Sequence, residues 1–217
     1  MTINAYRVVK DFEGALCDYT GAPYAVTVNS CTSALFLALM WHQQLRPKFH
    51  DLSFDGTPIY FDPPIIVIPR RTYVSVPMQI IHAGMAVAYR DEDWHGGYQL
   101  FPLPIWDYAR RFTSGMYRLG QFQCVSFHWS KILGIQQGGA ILHDSPEADA
   151  WLRRARFDGR TEGVHPKDDE FGHIGWHMYM SPEIAAEGLM RLSILPERNP
   201  DLPNDDYPDL STKRLFG

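Results

Sequence analysis

Cysteine is scarce in this chain: Cys17, Cys31 and Cys124 are odd in number, far apart, and set among apolar or small residues. That pattern excludes a disulfide framework and a cysteine-based zinc site, and it fits a reducing compartment. Positive charge is not in excess either. Net charge is −5 and the isoelectric point is near 6.0, so the chain as a whole has no electrostatic footprint for nucleic acid or an anionic membrane. No apolar run reaches the ~20 residues that a membrane helix needs, and no basic-then-apolar leader opens the sequence. A soluble, cytoplasmic protein without a nucleic-acid or membrane partner is expected. Internal repeats are absent as well.

Apolar material, by contrast, is ample. Of 217 residues 45% are hydrophobic and 13% aromatic, enough for one full core and too little for two comfortable ones. Val8, Val9, Phe12, Ala15 and Leu16 recur at helical spacing, which predicts a helix over Val8–Asp18, stopped by Gly21-Ala22-Pro23. A strand is predicted at Tyr24–Val28, then a turn through Asn29-Ser30-Cys31-Thr32-Ser33 and a helix over Ala34–Trp41 that is apolar nearly all round. Further strands are predicted at Ile65–Ile68, Met85–Tyr89, Leu103–Trp106 and Gln123–Phe127, and further helices at Ser75–Ala83 and Glu147–Phe157. This alternation predicts an α/β fold: a mostly parallel, doubly wound sheet with helices on both faces. Pro196, Pro200, Pro203 and Pro208 punctuate a closing stretch that neither a helix nor a central strand accepts. Residues 1–195 therefore read as one domain and 196–217 as an extended or disordered tail, or as an arm wrapped over a neighbouring subunit.

Lys131 ends the stretch Ser126-Phe127-His128-Trp129-Ser130-Lys131, ahead of a glycine-marked turn and the apolar run Gly138-Gly139-Ala140-Ile141-Leu142. Aromatic and apolar surroundings lower the pKa of an ammonium by desolvation, as attack on a carbonyl requires. Lys131 is accordingly read as a Schiff-base lysine. Asp107 stands at the predicted C-terminal end of a strand, where open α/β sheets place ligand-contacting groups; a helix cap or turn carboxylate is the plainer alternative. Beside such a lysine, a carboxylate keeps a pyridine nitrogen protonated, and the ring can then absorb the electron pair left by a departing α-proton.

Asn29 to Ser33 place small residues at a helix start, where the dipole and free amides favour a phosphate, although capping is the commoner use of such residues. Ser126 could add a hydroxyl to the same phosphate, or be a strand serine bonded to backbone. Tyr73 could stack on a flat heteroaromatic ring or belong to the core. His173 and His177 are four apart, but Gly172 and Gly175 argue against a regular helix and no acidic ligand has matching spacing, so no metal is expected. Arg153, Arg154, Arg156 and Arg160 read as a solvated helix face with salt bridges.

In their order along the chain these segments resemble the DegT/DnrJ/StrS sugar aminotransferase family. The likeness is carried by Phe12-Glu13 with Tyr19-Thr20-Gly21, by Ala25 through Leu35, by Pro69-Arg70-Arg71-Thr72-Tyr73-Val74-Ser75 with Ala83-Gly84, and by Ser126-Phe127-His128-Trp129-Ser130-Lys131 with Gly138-Gly139-Ala140-Ile141. Residues Gly175 to Gly188 resemble the family's Gly-x-Asn-x-Arg-Met region. The resemblance covers most of residues 8 to 192, and the Ser-Phe-His-x-x-Lys motif is its most specific part.

The resemblance implies a trimmed fold type I enzyme in which Lys131 carries pyridoxal 5′-phosphate and Asp107 faces the pyridine nitrogen. It implies that Tyr73 stacks on the ring, that Thr32, Ser33 and Ser126 hold the phosphate, and that His128, inside the motif, belongs to the cofactor site. The implied reaction moves an amino group from an amino acid, usually glutamate, to a keto group of a nucleotide-linked sugar in polysaccharide or sugar biosynthesis. The implied assembly is a homodimer with shared sites. Some positions depart from the family. Arg110 flanks the ring where the family has Gln or His, and Cys31 replaces Gly or Ala. His177 and Tyr179 occupy the Asn and Arg positions, which makes His177 the group expected to reach the phosphate of the other subunit. The family also carries a longer stretch between Asp91 and Asp107 and a further domain after Leu195. Two alternatives stand beside this reading: a minimal cofactor-binding or interaction domain without turnover, and a pyridoxal-phosphate-dependent sugar dehydratase, whose relatives replace the lysine by histidine.

Overall fold

The apolar stripe Val9, Phe12 and Leu16 is buried along α1 (Arg7–Thr20), which stops at Gly21. The computed structural model describes residues 6–45, 63–204 and 207–216. After α1 come β1 (Tyr24–Val28), α2 (Cys31–Gln44), β2 (Ile65–Pro69), α3 (Ser75–His82), β3 (Ala86–Arg90) and β4 (Tyr98–Gln99). They are followed by β5 (Ile105–Tyr108), β6 (Phe122–Ser126), β7 (Gly139–His143), α4 (Pro146–Ala155) and α5 (Pro182–Ser193). Sequence periodicity misses three of these: β7 is marked only as an apolar run, and β4 and α5 not at all. β4 is too short to show a period of two, and α5 is announced only by its cap, Ser181, which accepts from Ile184 N–H ahead of Pro182.

One sheet has the order β1-β7-β6-β5-β4, and β2 and β3 form a separate parallel pair. Val67 and Phe101 join the two: Val67 N–H donates to the Phe101 carbonyl at 2.8 Å, and Phe101 N–H donates back at 3.2 Å. The α/β class with helices on both faces stands, but the sheet is mixed rather than mostly parallel. β5–β6 and β2–β3 are parallel, whereas β1–β7, β6–β7 and β4–β5 are antiparallel. The reason lies in the connections. Parallel neighbours need a long crossover, usually a helix; the loop from β6 to β7 and the short turn from β4 to β5 contain none, so the chain folds back. Following the pairings, β1, β2, β3, β5 and β6 all point the same way.

Strand alternation sorts the core into two layers. Val26, Val28, Cys124 and Ile141 face α2, α3 and α4, while Ala25, Val125, Ala140 and Leu142 face α1 and α5. α2 lies between the sheet and other helices, contacting β5, β6, β7, α3 and α4, which is why it is apolar all round.

The arginine cluster is not a solvated face. Arg156 is buried at 2% exposure and its guanidinium meets Glu13 Oε1 at 2.5 Å and Glu162 Oε1 at 2.7 Å. Arg153 reaches the other Glu13 oxygen at 2.6 Å and Asp149 at 2.8 Å. Helical periodicity places these residues on α4 and just after it, but only the packing of α1 beside them turns the pair inward.

The closing segment runs back over its own chain. Asn199 donates to the Tyr19 hydroxyl at 2.8 Å, Asp201 pairs with Arg111 at 2.5 Å, and Leu202 N–H donates to the Arg110 carbonyl at 2.9 Å. Further on, Leu210 is buried and its N–H donates to the Arg70 carbonyl at 2.9 Å. Residues 205–206 and 217 of the predicted tail, and residues 1–5 and 46–62 of the predicted domain, lie outside the described residues.

Candidate active site

Because β1, β2, β5 and β6 share a direction, their C-terminal ends open along one edge of the sheet, the position where such folds bind ligands. A cavity of about 410 Å³ lies there, lined among others by Cys31, Thr32, Tyr73, Asp107, Arg110, Ser126, His128 and Lys131. Eight of the ten residues singled out from sequence therefore meet in one place.

The remaining two do not line it. Ser33 lies buried one step into α2, its hydroxyl donating to Asn29 Oδ1 at 2.6 Å and lying 2.9 Å from the Ser30 hydroxyl. Asn29 and Ser30, which carry that network, line the cavity instead. His177 sits on the surface, 72% exposed, with Nδ1 2.9 Å from Asp158 Oδ2. His173 stacks on Trp151 with ring centres 5.5 Å apart. Among the described residues no group of three or more metal-ligating side chains comes together.

Lys131 is delivered by a closed loop. Phe127 N–H donates to the Gly138 carbonyl at 2.9 Å, Ile135 N–H to the Phe127 carbonyl at 3.0 Å, and Lys131 N–H to the His128 carbonyl at 2.8 Å. The buried side chains of Phe127 and Ile135 anchor that loop and leave Lys131 half-buried at the cavity. Burial lowers the Lys131 pKa, and the Arg110 guanidinium lowers it further, against opposing effects of Asp107 and Cys31. A larger share of unprotonated amine follows, which is what a nucleophilic lysine needs.

Asp107 is 5% exposed. Burial pushes its pKa up, opposed by the Ala109 N–H, the Tyr98 hydroxyl, Lys131 and Arg110. Ala109 N–H donates to Oδ1 at 2.9 Å, and the Tyr98 hydroxyl donates to Oδ2 at 3.0 Å and touches Thr72 Oγ1 on its other side. Gly97 makes this possible. A Cβ there would stand 2.2 Å from the Tyr108 ring and 2.3 Å from the Asp107 carbonyl, so only glycine lets β4 approach β5 and bring Tyr98 to the carboxylate.

At the other wall the N-terminus of α2 faces the cavity, capped by Ser30, whose hydroxyl accepts from Ser33 N–H. Thr32 Oγ1 lies 3.0 Å from Ser75 Oγ at the start of α3, so two helix starts meet there. Burial, reinforced by Asp107, keeps the Cys31 thiol well above its ordinary pKa and thus protonated.

Sequence reasoning passed over Thr72, Trp94, Tyr98, Gln137 and Tyr207. Trp94, Gln137, Tyr207 and Thr72 line the cavity, and no local pattern marks any of them. A hydroxyl-rich helix start, a half-buried lysine with a lowered pKa and a buried carboxylate with a raised one form a donor set that fits pyridoxal 5′-phosphate. Thr32, Ser30 and Ser126 would take its phosphate, Lys131 its carbonyl, and Asp107 its ring nitrogen.

Comparison with known proteins gives the same reading of the fold. The protein SpsC, of spore coat polysaccharide biosynthesis in Bacillus subtilis (strain 168), is 26% identical over 226 residues, spanning 86% of this chain and 57% of that protein. The structure of AtS13 from Actinomadura melliaura matches with a TM-score of 0.70 at 20% identity, over 88% of this chain and 60% of that one. The sugar aminotransferase CalS13 from Micromonospora echinospora matches with a TM-score of 0.66 at 18% identity, over 87% and 60%. The chain thus spans less than two thirds of the length of these relatives. Residues 1–95 and 114–201 match a family profile, and the interval between them holds Tyr98, Asp107 and Arg110. With most of its length matched, the chain belongs to the DegT/DnrJ/EryC1/StrS aminotransferase family.

Proposed function

We propose that this chain performs pyridoxal-phosphate-dependent amino transfer, from an amino acid to the keto group of a nucleotide-linked sugar, in polysaccharide or sugar biosynthesis. The observation that carries the reading is the shared cavity of Lys131 and Asp107, one pKa lowered and the other raised by burial. Pyridoxal phosphate supplies an electron sink for the bond broken at the donor's α-carbon. Lys131 would hold the cofactor's carbonyl and, as a free amine, would carry the proton taken from the donor's α-carbon. Asp107, ionised and oriented by the Tyr98 hydroxyl and the Ala109 N–H, would hold a proton on the ring nitrogen. The α2 start with Thr32 and Ser30, together with Ser126, binds the phosphate, and Tyr73 walls the ring. A sugar acceptor is supported by what the relatives SpsC and CalS13 are named for.

A homodimer and a cytoplasmic location belong to the same proposal, with residues 1–195 as the cofactor-binding unit and 196–217 as a trailing segment. Tyr73, lining the cavity at 56% exposure, and its neighbour Val74 at 40%, with Trp129 at 71% beside the cavity residue His128, offer apolar surface that association would bury. His177, exposed and outside its own cavity, stands on the surface beside Asp158, where another subunit's site can reach it. The three unpaired cysteines support a reducing compartment. No described helix is long and apolar enough to cross a membrane.

The deciding experiment is an absorption spectrum of the purified protein with pyridoxal phosphate, before and after glutamate, beside Lys131→Ala. A visible band that requires Lys131 and disappears with glutamate supports amino transfer. A band that persists with every amino donor makes the chain a cofactor-binding domain without turnover. Conversion of the cofactor to its amine form by Lys131→Ala at the wild-type rate removes Lys131 from the chemistry. Sedimentation of the loaded protein as a monomer at micromolar concentration would reject the dimer.

A further inference from the structure

Tyr207 touches both arms of the cavity. Its hydroxyl lies 3.2 Å from Arg110 Nη2, and the Arg110 guanidinium carbon sits 5.4 Å from the centre of its ring. On the other side its ring is stacked on Trp94, at 6.4 Å and 16°. Trp94 in turn meets Tyr98 edge-on at 4.9 Å, and Tyr98 donates to Asp107. The surrounding segment clamps the same two residues. The carbonyl of Pro203 accepts from Arg110 Nη1, Leu202 N–H donates to the Arg110 carbonyl, and Asn204 Nδ2 donates to the Trp94 carbonyl. Asp201 with Arg111 at 2.5 Å, and Asp209 with Arg70 at 3.4 Å, tie the segment down on either side.

We propose that Tyr207 is a positioning residue of the active site, which locks Arg110 and Trp94 in place around Lys131 and Asp107. The closing segment is then a working wall of the cavity rather than a passive tail. The inference rests on reading the cavity as the cofactor site. Each contact taken alone is modest, since exposed ion pairs are worth little. Tyr207 matters because it joins a hydrogen bond, a cation–π contact and a ring stack in one side chain, and Arg110, 4% exposed, has little room to find another position.

Arg110 is one of the groups that set the charge state of Lys131. The titratable and charged groups that share the cavity with Lys131 are Asp107 and Arg110 from β5 and the residues after it, Cys31 from α2, Tyr73 ahead of α3, His128 of its own loop, and Tyr207. Releasing Arg110 withdraws a positive charge from an ammonium, so the lysine then holds its proton to higher pH.

The test uses the full chain carrying Tyr207→Phe, Tyr207→Ala or Arg110→Met. Two quantities are read: cofactor affinity by tryptophan-fluorescence titration, and the pH midpoint of Lys131 acetylation by acetic anhydride, mapped by mass spectrometry without cofactor. Tyr207→Ala should bind pyridoxal phosphate about tenfold more weakly, and Tyr207→Phe a few-fold more weakly, as expected for loss of contacts to a charged group. The Lys131 midpoint should move up in Tyr207→Ala and in Arg110→Met, and combining the two should add little. A role confined to stability would lower the melting temperature and leave the midpoint where it was. A folded Tyr207→Ala with wild-type affinity and an unmoved midpoint overturns the proposal. If that variant does not fold, unchanged affinity and midpoint in Tyr207→Phe overturn it. If the wild type takes up no cofactor, the functional reading fails, and the acetylation midpoints alone decide the role of Tyr207.

Discussion

The Tyr98 hydroxyl donates to Asp107 Oδ2 at 3.0 Å while Thr72 Oγ1 rests against the phenol oxygen of Tyr98. A phenol has one proton to give, so Thr72 must be the donor in the second bond. All three residues are nearly fully buried, and the relay defines the carboxylate's orientation. Tyr98→Phe would leave Thr72 unsatisfied and remove one of the groups opposing the upward push of burial on Asp107. The expected result is a loss of about 1–3 kcal/mol in urea unfolding, together with weaker cofactor binding. Wild-type values of both would show that the relay is idle.

Gly139 brings β7 under the start of α2. A Cβ there would stand 2.6 Å from Cys31 N and 2.8 Å from both Ser30 C and Val125 O, all backbone atoms that cannot swing aside. Gly139→Ala should therefore cost roughly 2–4 kcal/mol by overpacking and should weaken phosphate binding at the α2 start. Gly14, inside α1 with nothing within 4 Å of its would-be Cβ, is the contrast: Gly14→Ala should stabilise by about 0.5–1 kcal/mol. Chemical denaturation midpoints of the two variants should move in opposite directions.

Glu13 and Arg156 form the most buried ion pair of the described residues. Burial alone would raise the Glu13 pKa, but Arg156 and Arg153 outweigh it and hold the carboxyl below its ordinary value. A depressed native pKa means that the unfolded chain binds more protons as acid is added. The pair's contribution is thus fully present above the ordinary glutamate range and lost as pH falls through the native value. Arg156→Met should cost about 3–5 kcal/mol, since it leaves a buried carboxylate with one partner fewer. Its urea midpoint should also depend less on pH below about 4 than that of the wild type.

His143 is fully buried between Phe122, at 5.4 Å and 6°, and Tyr24, at 5.5 Å and 19°. Burial lowers its pKa from 6.5 to about 4. Between those values the unfolded chain takes up a proton that the native ring refuses, so stability falls as the pH drops through that window, by up to roughly 3 kcal/mol. His143→Phe should remove this component. Equal pH slopes for variant and wild type between pH 6.5 and 4 would count against it.

Much of the site was legible because its chemistry sits where local pattern is strongest. Asp107 lies near the end of a short apolar strand, Lys131 shortly after another, and Cys31, Thr32 and Ser126 at a strand end or helix start, so the predicted strands and the family resemblance together point to one edge of an α/β sheet. Tyr98, Trp94 and Thr72 were not legible. β4 has two residues and no period, and Trp94 and Thr72 lie in connections whose meaning depends on what they pack against. Ser33 looks from sequence like a cavity hydroxyl, yet its bond to Asn29 turns it into part of the cap. The arginines after β7 show helical spacing, but nothing local tells Arg156, buried on Glu13, from Arg160, half-buried over the Phe157 ring.

The sequence by itself determined four of the five described helices, most strands and the helix stop at Gly21, because these follow from periods of two and 3.6 residues and from backbone restrictions of neighbouring residues. Tertiary structure alone decided the reversed directions of β4 and β7, the inward turn of Arg156, and the return of residues 199–210 to place Tyr207 against Arg110 and Trp94. Each of these joins residues far apart in the chain, and such contacts are selected by the closure of the whole fold, for which no short stretch of sequence carries a signal.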